Sequence, residues 1–351
     1  MATSVHQFTS FSGNSRTVIS EKARAATFSE IPLISLEAEK QELVRQIRTA
    51  CTQVGFFYIK DHGIEQKLVD DLMNSAQEFF RLPMEEKNDI HFTKSKQLKG
   101  YEGFGDNRTE SERKPDLNEQ FSWGYDKEMD PDQETVFESD SFLYGENSWP
   151  SQVPELRTAV KRYFSQILLL ARRLMSLFAL ALDLPENYFV DMLKHPGAMG
   201  RVLHYLPQPV EETNVLGIGA HTDIECCTIL YPGEVPALEI LNPEGEWIVA
   251  TPIPGTFVIN IGDMLARWSN DFFISTVHRV KNITGQERYS IPVFVGVDYE
   301  TVIEPLETCI SLHGKKYPPV KAGDYVYKRL AYSRFDKQDF ENMLDQVGVS
   351  K

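Results

Sequence analysis

Gly217-Ile218-Gly219-Ala220-His221-Thr222-Asp223-Ile224-Glu225-Cys226-Cys227-Thr228-Ile229-Leu230-Tyr231 holds two short runs, 217–221 and 226–231, with the length and apolar texture of strands. Working outward, further runs of this kind stand at 201–206, 237–241, 246–250, 256–261, 274–280 and 288–297. Eight short strands without intervening helices suit a double-sheet jelly roll whose two sheets enclose a cleft. Asn242-Pro243-Glu244-Gly245 marks a type I hairpin turn, with Pro second and Gly fourth. The absence of strand–helix alternation argues against a doubly wound sheet. No phosphate-cradling glycine loop and no internal repeat is visible.

Upstream of Gly200 the texture is helical. Ile31-Pro32-Leu33-Ile34-Ser35-Leu36 reads as an edge strand, where Pro32 needs no ladder donor. Leu43, Ile47, Cys51 and Val54 predict a helix stopped by Gly55, and Phe56-Phe57-Tyr58-Ile59 a buried strand. Leu68, Leu72, Ala76 and Phe79 line a second helix that ends at Leu82-Pro83. Residues 88–150 are polar and weakly periodic, and read as a long functional loop. A long helix from Glu155 to Leu182 carries its stripe from Leu156 to Phe178, and 336–347 reads as a final exposed helix. The expected organisation is a flexible arm over 1–28, a helix-and-strand region over 29–200, the jelly roll over 201–330 and a C-terminal helix over 331–351. The arm lacks the apolar core of a secretory signal; its Ser, Thr and Arg content is only loosely like an organelle transit peptide.

At 351 residues, with 42% hydrophobic and 25% charged, the chain has ample material for a core. A net charge of −15 repels phosphate backbones and anionic lipid, so neither nucleic acid nor a membrane is an expected partner. The apolar stretch 167–182 carries Arg172 and Arg173 at its middle, which suits a core helix rather than a membrane span. Four cysteines without a disulfide or metal spacing fit a reducing compartment, and the expected location is the cytoplasm. Cys226 and Cys227 read as small apolar filler. Oligomeric state is open at this point.

His221 and Asp223 are two apart on a strand end and share a face, and His278 lies in a later strand, within Ser275-Thr276-Val277-His278-Arg279-Val280. Two imidazoles and one carboxylate form the facial triad of mononuclear non-haem iron(II), which leaves open coordination positions. With eight histidines and 51 acidic residues, a His-x-acid triplet is expected about once by chance, so the triplet alone carries little weight. Arg288 and Ser290 add to it. Alternation aims both into the same cavity, where a guanidinium and a hydroxyl can bind one carboxylate.

These features together resemble the iron(II)- and 2-oxoglutarate-dependent dioxygenases of the isopenicillin N synthase-like group. The resemblance runs from Ile31-Pro32 to about Tyr327 and includes Val54-Gly55-Phe56-Phe57-Tyr58-Ile59-Lys60-Asp61-His62-Gly63-Ile64, Ala76-Gln77-Glu78-Phe79-Phe80-Arg81-Leu82-Pro83, Arg201-Val202-Leu203-His204-Tyr205-Leu206-Pro207, Gly219-Ala220-His221-Thr222-Asp223, Asn260-Ile261-Gly262-Asp263-Met264-Leu265, His278-Arg279-Val280 and Arg288-Tyr289-Ser290-Ile291-Pro292-Val293-Phe294. It implies a mixed α+β fold, a double-stranded β-helix (jelly roll) core backed by helices. It implies His221, Asp223 and His278 as iron ligands, Arg288 and Ser290 as the anchor for the distal carboxylate of 2-oxoglutarate, and Tyr205 as a further co-substrate contact. His62 reads as structural. The implied cofactors are Fe(II), 2-oxoglutarate and dioxygen, with ascorbate as reductant in vitro. The implied reaction oxidises an unactivated C–H bond of a small molecule, of the secondary-metabolite kind, by hydroxylation, desaturation or ring formation, and releases succinate and carbon dioxide.

Two departures stand out: Leu203 replaces a polar residue common near the co-substrate, and Glu234-Val235-Pro236-Ala237-Leu238 replaces a glycine-rich turn. Tyr101, Phe104, Gln120 and Phe294 are the candidates for facing the substrate. Two rival readings remain at the level of sequence. One is an iron oxidase of the same fold that works without 2-oxoglutarate; the other is a non-catalytic jelly roll that carries a small ligand.

Overall fold

The computed structural model describes residues 6–9, 15–27, 29–107, 116–132, 141, 143–208, 216–310, 314–335 and 341. The chain begins with a hairpin of β1 (His6–Thr9) and β2 (Ser15–Val18), and then β3 (Ser20–Ala25) and β4 (Leu33–Ser35). Helix α1 (Lys40–Gln53) is capped by Glu39, whose carboxylate accepts from the Gln41 and Glu42 amides. It ends at Gly55, whose φ of +73° and position leave no room for a side chain, since a Cβ there would come within 2.1 Å of the Ile274 carbonyl oxygen. The next elements are β5 (Phe56–Lys60), α2 (Gln66–Phe80), the short α3 (Met84–Asn88), β6 (Gly100–Glu102), β7 (Glu119–Gly124) and α4 (Pro154–Ala181).

The strand-rich half supplies β8 (Ala198–Tyr205), β9 (Ile218–His221), β10 (Cys227–Tyr231), β11 (Leu238–Leu241), β12 (Glu246–Val249), β13 (Phe257–Ile261), the one-turn α5 (Asp263–Trp268), β14 (His278–Val280) and β15 (Arg288–Val295). The pair β16 (Val302–Ile303) and β17 (Val320–Lys321) leads into α6 (Ala322–Arg334). One sheet of eight strands runs β4-β5-β13-β10-β15-β8-β7-β6, and the other of five runs β3-β12-β11-β14-β9. This is the expected jelly roll.

Alternation along each strand divides the residues between two environments. In β10 and β15, Cys227, Ile229, Ile291 and Val293 enter the core beneath the helices, whereas Thr228, Leu230, Ser290, Pro292 and Phe294 line the space between the sheets. The outer face of the large sheet is covered by α1, α2 and α4, whose Leu43, Ile47, Leu72, Phe79, Phe164 and Phe178 share that core. By length and composition α4 could cross a membrane, but most of its apolar surface is buried against these neighbours. At about 25 cal/mol per Å2 of apolar surface, burying one such Leu or Phe contributes roughly 1.5–3 kcal/mol.

Three expectations need correction. The arm over 1–28 is not loose where it is described: β3 pairs in parallel with β12, and Arg24 and Glu21 tie it to Glu246 and Arg279. Its charged, exposed face resembles an arm because only one edge of it is used. The long loop over 88–150 contains β6 and β7, and β7 adds its six buried residues to the large sheet. The C-terminal helix is α6, which crosses the expected boundary at 330, and most of 336–347 lies outside the described residues. Cys226 and Cys227 are fully buried on the helix side; burial pushes the Cys227 thiol up to about 12, which fits filler.

Candidate active site

The antiparallel register of β9 and β14 sets His278 opposite His221, with ring centroids 4.2 Å apart. Asp223 follows two residues beyond, and its Oδ1 lies 3.6 Å from the Nε2 of each histidine. Ligand atoms from the three residues all fall within 4.8 Å of one another. Each imidazole is oriented from behind: His221 Nδ1 donates to the Gly219 carbonyl at 2.8 Å and His278 Nδ1 to the Thr276 carbonyl at 3.1 Å. That arrangement keeps the proton on Nδ1 and turns the Nε2 lone pairs inward. Asp223 is divided in the same way. Its Oδ2 accepts from the Thr228 hydroxyl and from Asn260 Nδ2 at 2.6 Å, which leaves Oδ1 facing the histidines.

The electrostatics suit a divalent cation. Burial, reinforced by the neighbouring His278, pushes His221 down to about 4, so it is a neutral donor at ordinary pH. Burial works to raise the Asp223 carboxyl, but the two imidazoles and the hydrogen bonds from Thr228 and Asn260 hold it below its usual range. Two neutral nitrogens and one carboxylate on one face are the donor set that non-haem iron(II) takes.

Arg288 is buried to 2% exposure in the same cavity. It donates to the Val235 carbonyl at 3.2 Å, the Pro232 carbonyl at 3.0 Å and Ser290 Oγ at 3.3 Å, and its Cζ lies 4.8 Å from the Tyr205 ring centroid. The unusual 234–238 turn therefore leaves the carbonyls of Pro232 and Val235 in place to aim this guanidinium. Among the described residues no carboxylate stands within ion-pair distance of Arg288. Burial lowers its pKa, yet an arginine remains charged at any working pH, so the pocket is complementary to an anion. Leu203 lines the wall nearby and offers no polar contact.

The cavity measures about 510 Å3, enough for two small molecules side by side. Gln120 and Phe294 line it, as the sequence suggests. Tyr101 does not: it is buried behind β7, where its hydroxyl donates to Glu119 Oε2 at 2.7 Å. Phe104 is 38% exposed and lies outside the lining. Sequence reasoning missed Arg201, Thr228 and Asn260, although alternation from Tyr205 signals the first. It also missed Phe8 of β1 and Leu330, Tyr332 and Ser333 of α6, for which sequence spacing gives no sign. His62, read from the sequence as structural, packs its ring edge-on to Phe257.

Residues 31–152 match the family described as non-haem dioxygenase in morphine synthesis N-terminal, and residues 197–297 match the 2OG-Fe(II) oxygenase superfamily. The chain is 37% identical to the 2-oxoglutarate-Fe(II) type oxidoreductase ppzC of Metarhizium rileyi, over 93% of this chain and 94% of that one. It is 36% identical to a homoarginine-6-hydroxylase of Glycine max, over 81% of this chain and 90% of the relative. A full-length Neurospora crassa protein crystallised with alpha-KG superposes with a TM-score of 0.75 at 28% identity, covering 89% of this chain and 99% of that one. The chain belongs to the 2OG-Fe(II) oxygenase superfamily. It is a non-haem iron, 2-oxoglutarate-dependent dioxygenase that acts on small molecules.

Proposed function

We propose that this enzyme hydroxylates an unactivated C–H bond of a small secondary metabolite in the cytoplasm, with iron held by His221, Asp223 and His278. In this reading Arg288, Ser290 and Tyr205 hold the distal carboxylate of 2-oxoglutarate. The observation that carries it is the convergence of three ligand atoms beside a buried guanidinium that no described carboxylate balances. Relatedness to a homoarginine-6-hydroxylase supports hydroxylation over desaturation or ring closure.

Iron held by His221, Asp223 and His278 would supply the activation of dioxygen, with one oxygen atom going to the substrate and the other to the succinate that 2-oxoglutarate leaves on losing carbon dioxide. The chain's own residues do the positioning. Asn260 and Thr228 fix the plane of the Asp223 carboxylate, and Gly219 and Thr276 fix the imidazole tautomers. Arg288, held rigid by Pro232 and Val235, fixes the far end of the co-substrate. Phe294, Leu203 and Leu230 exclude water from the reacting bond.

The test is to incubate the enzyme with Fe(II), ascorbate, 2-oxoglutarate and a library of small metabolites. Succinate released in step with a product heavier by one oxygen atom supports hydroxylation. A product lighter by two hydrogens would replace it with desaturation or ring formation. Product without succinate would overturn the co-substrate assignment.

A further inference from the structure

Cavity-facing residues on β8 alternate as Arg201, Leu203 and Tyr205. The β8–β15 register pairs Tyr205 with Arg288 and Leu203 with Ser290, and at the other end sets Met199 opposite Phe294. Arg201 therefore stands roughly 13 Å along the strand from Tyr205, at about 3.3 Å per residue. The two guanidiniums serve opposite ends of one cavity. Arg288 has the co-substrate end, and Arg201 the end bounded by Phe294, Gln120 and Ser333.

The surroundings of Arg201 are incomplete for a cation. Its Nη1 donates to the neutral Gln120 oxygen at 3.1 Å, its Cζ lies 5.3 Å from the Phe294 ring centroid, and its Nε has no hydrogen-bond partner. Among the described residues no carboxylate comes within ion-pair distance of it. Glu102, Glu225 and Asp223 act on it only from beyond contact; Glu102 is engaged by Arg334, which reaches Oε1 at 2.5 Å and Oε2 at 3.2 Å, and Asp223 faces the histidines. A guanidinium taken out of water without a carboxylate in direct contact is costly, and a planar carboxylate matches its fork.

We propose that Arg201 is the specificity-determining residue of the substrate end and that the molecule oxidised bears a carboxylate which pairs with it. This inference rests on the assignment of the iron and 2-oxoglutarate sites above, because it places the guest in the space they leave. The phenyl face of Phe294 then holds the guanidinium flat while the acid docks on its free edge, and the remainder of the guest extends toward Asp223 and the histidines.

The test measures binding without turnover. Zn(II)-loaded protein with saturating 2-oxoglutarate is titrated with matched pairs: phenylacetate and phenylacetamide, nicotinate and nicotinamide, hexanoate and hexanamide. The acid is expected to bind about tenfold more tightly than its amide in at least one pair, the scale of a hydrogen bond to a charged group. In Arg201→Gln that preference should fall to near parity, whereas Arg201→Lys should keep part of it. Affinity for 2-oxoglutarate should be unchanged in both variants, which also reports that they are folded. Acids that bind no better than amides in every pair, including no binding by either, would overturn the proposal, as would a preference that survives Arg201→Gln. Failure of wild-type protein to bind 2-oxoglutarate would instead overturn the underlying site assignment and the inference with it.

Discussion

Asp223 divides its work between two oxygens, and this division sets what substitutions there should do. Asp223→Ala removes the anionic ligand, and turnover should vanish together with iron retention, as read by metal analysis of the purified protein. Thr228→Val keeps the ligand but frees Oδ2 from one of its two donors. Partners of metal ligands are typically worth 10–100-fold in affinity, so iron binding should weaken by about tenfold while 2-oxoglutarate affinity in the metal-loaded protein stays near wild type. Arg288→Ala should raise the 2-oxoglutarate KM by about tenfold or more with iron occupancy intact; an unchanged KM would place the anchor elsewhere. The ligands were legible because a strand's period of two links His221 to Asp223 and Arg288 to Ser290. Thr228 and Asn260 were not singled out, because their contact with Asp223 arises only where β10 and β13 run side by side.

At the scale of elements, legibility followed apolarity. All eight strands expected beyond residue 200 emerge within a few residues of their expected bounds, since continuous apolar runs can only be buried, whereas the two-residue β16 and β17 had no such run. β7 stayed hidden because its buried residues include Glu119, Gln120 and Ser122. These are tolerable inside only because Lys87, His204 and Tyr101 surround Glu119, and no local pattern announces such partners. Helix α6 escaped for a similar reason: it is docked through charge. Arg329 reaches Asp263 and the Thr222 carbonyl beside the metal ligands, and Arg334 reaches Glu102. Both side chains of the Arg334–Glu102 pair are 1% exposed. Arg334→Ala strands a buried carboxylate, and by analogy with other broken buried pairs it should destabilise the fold by about 3–5 kcal/mol. Chemical denaturation would read this, and a loss under about 1 kcal/mol would show that α6 is not fastened there.

For the whole molecule, acid is the predicted weakness. Burial raises Glu102 and Glu119, but Arg334 and Arg201 for the first, and His204, Lys87 and Tyr101 for the second, outweigh it and hold both below the ordinary 4.5. A carboxylate lowered in the fold gives stability that is present above its unfolded value and lost as pH falls through its folded one. The contribution of Glu102 and Glu119 to the midpoint of thermal unfolding should therefore be lost progressively as pH falls below about 4.5. A Glu102→Gln, Arg334→Met double variant should flatten part of that decline.

The hairpin near the start of the chain and the helix near its finish both line the one cavity, with Phe8 from the first and Leu330, Tyr332 and Ser333 from the second. Two segments from opposite halves of the chain thus shape the same wall, so a substitution at Phe8 or Tyr332 bears on which guests the cavity admits.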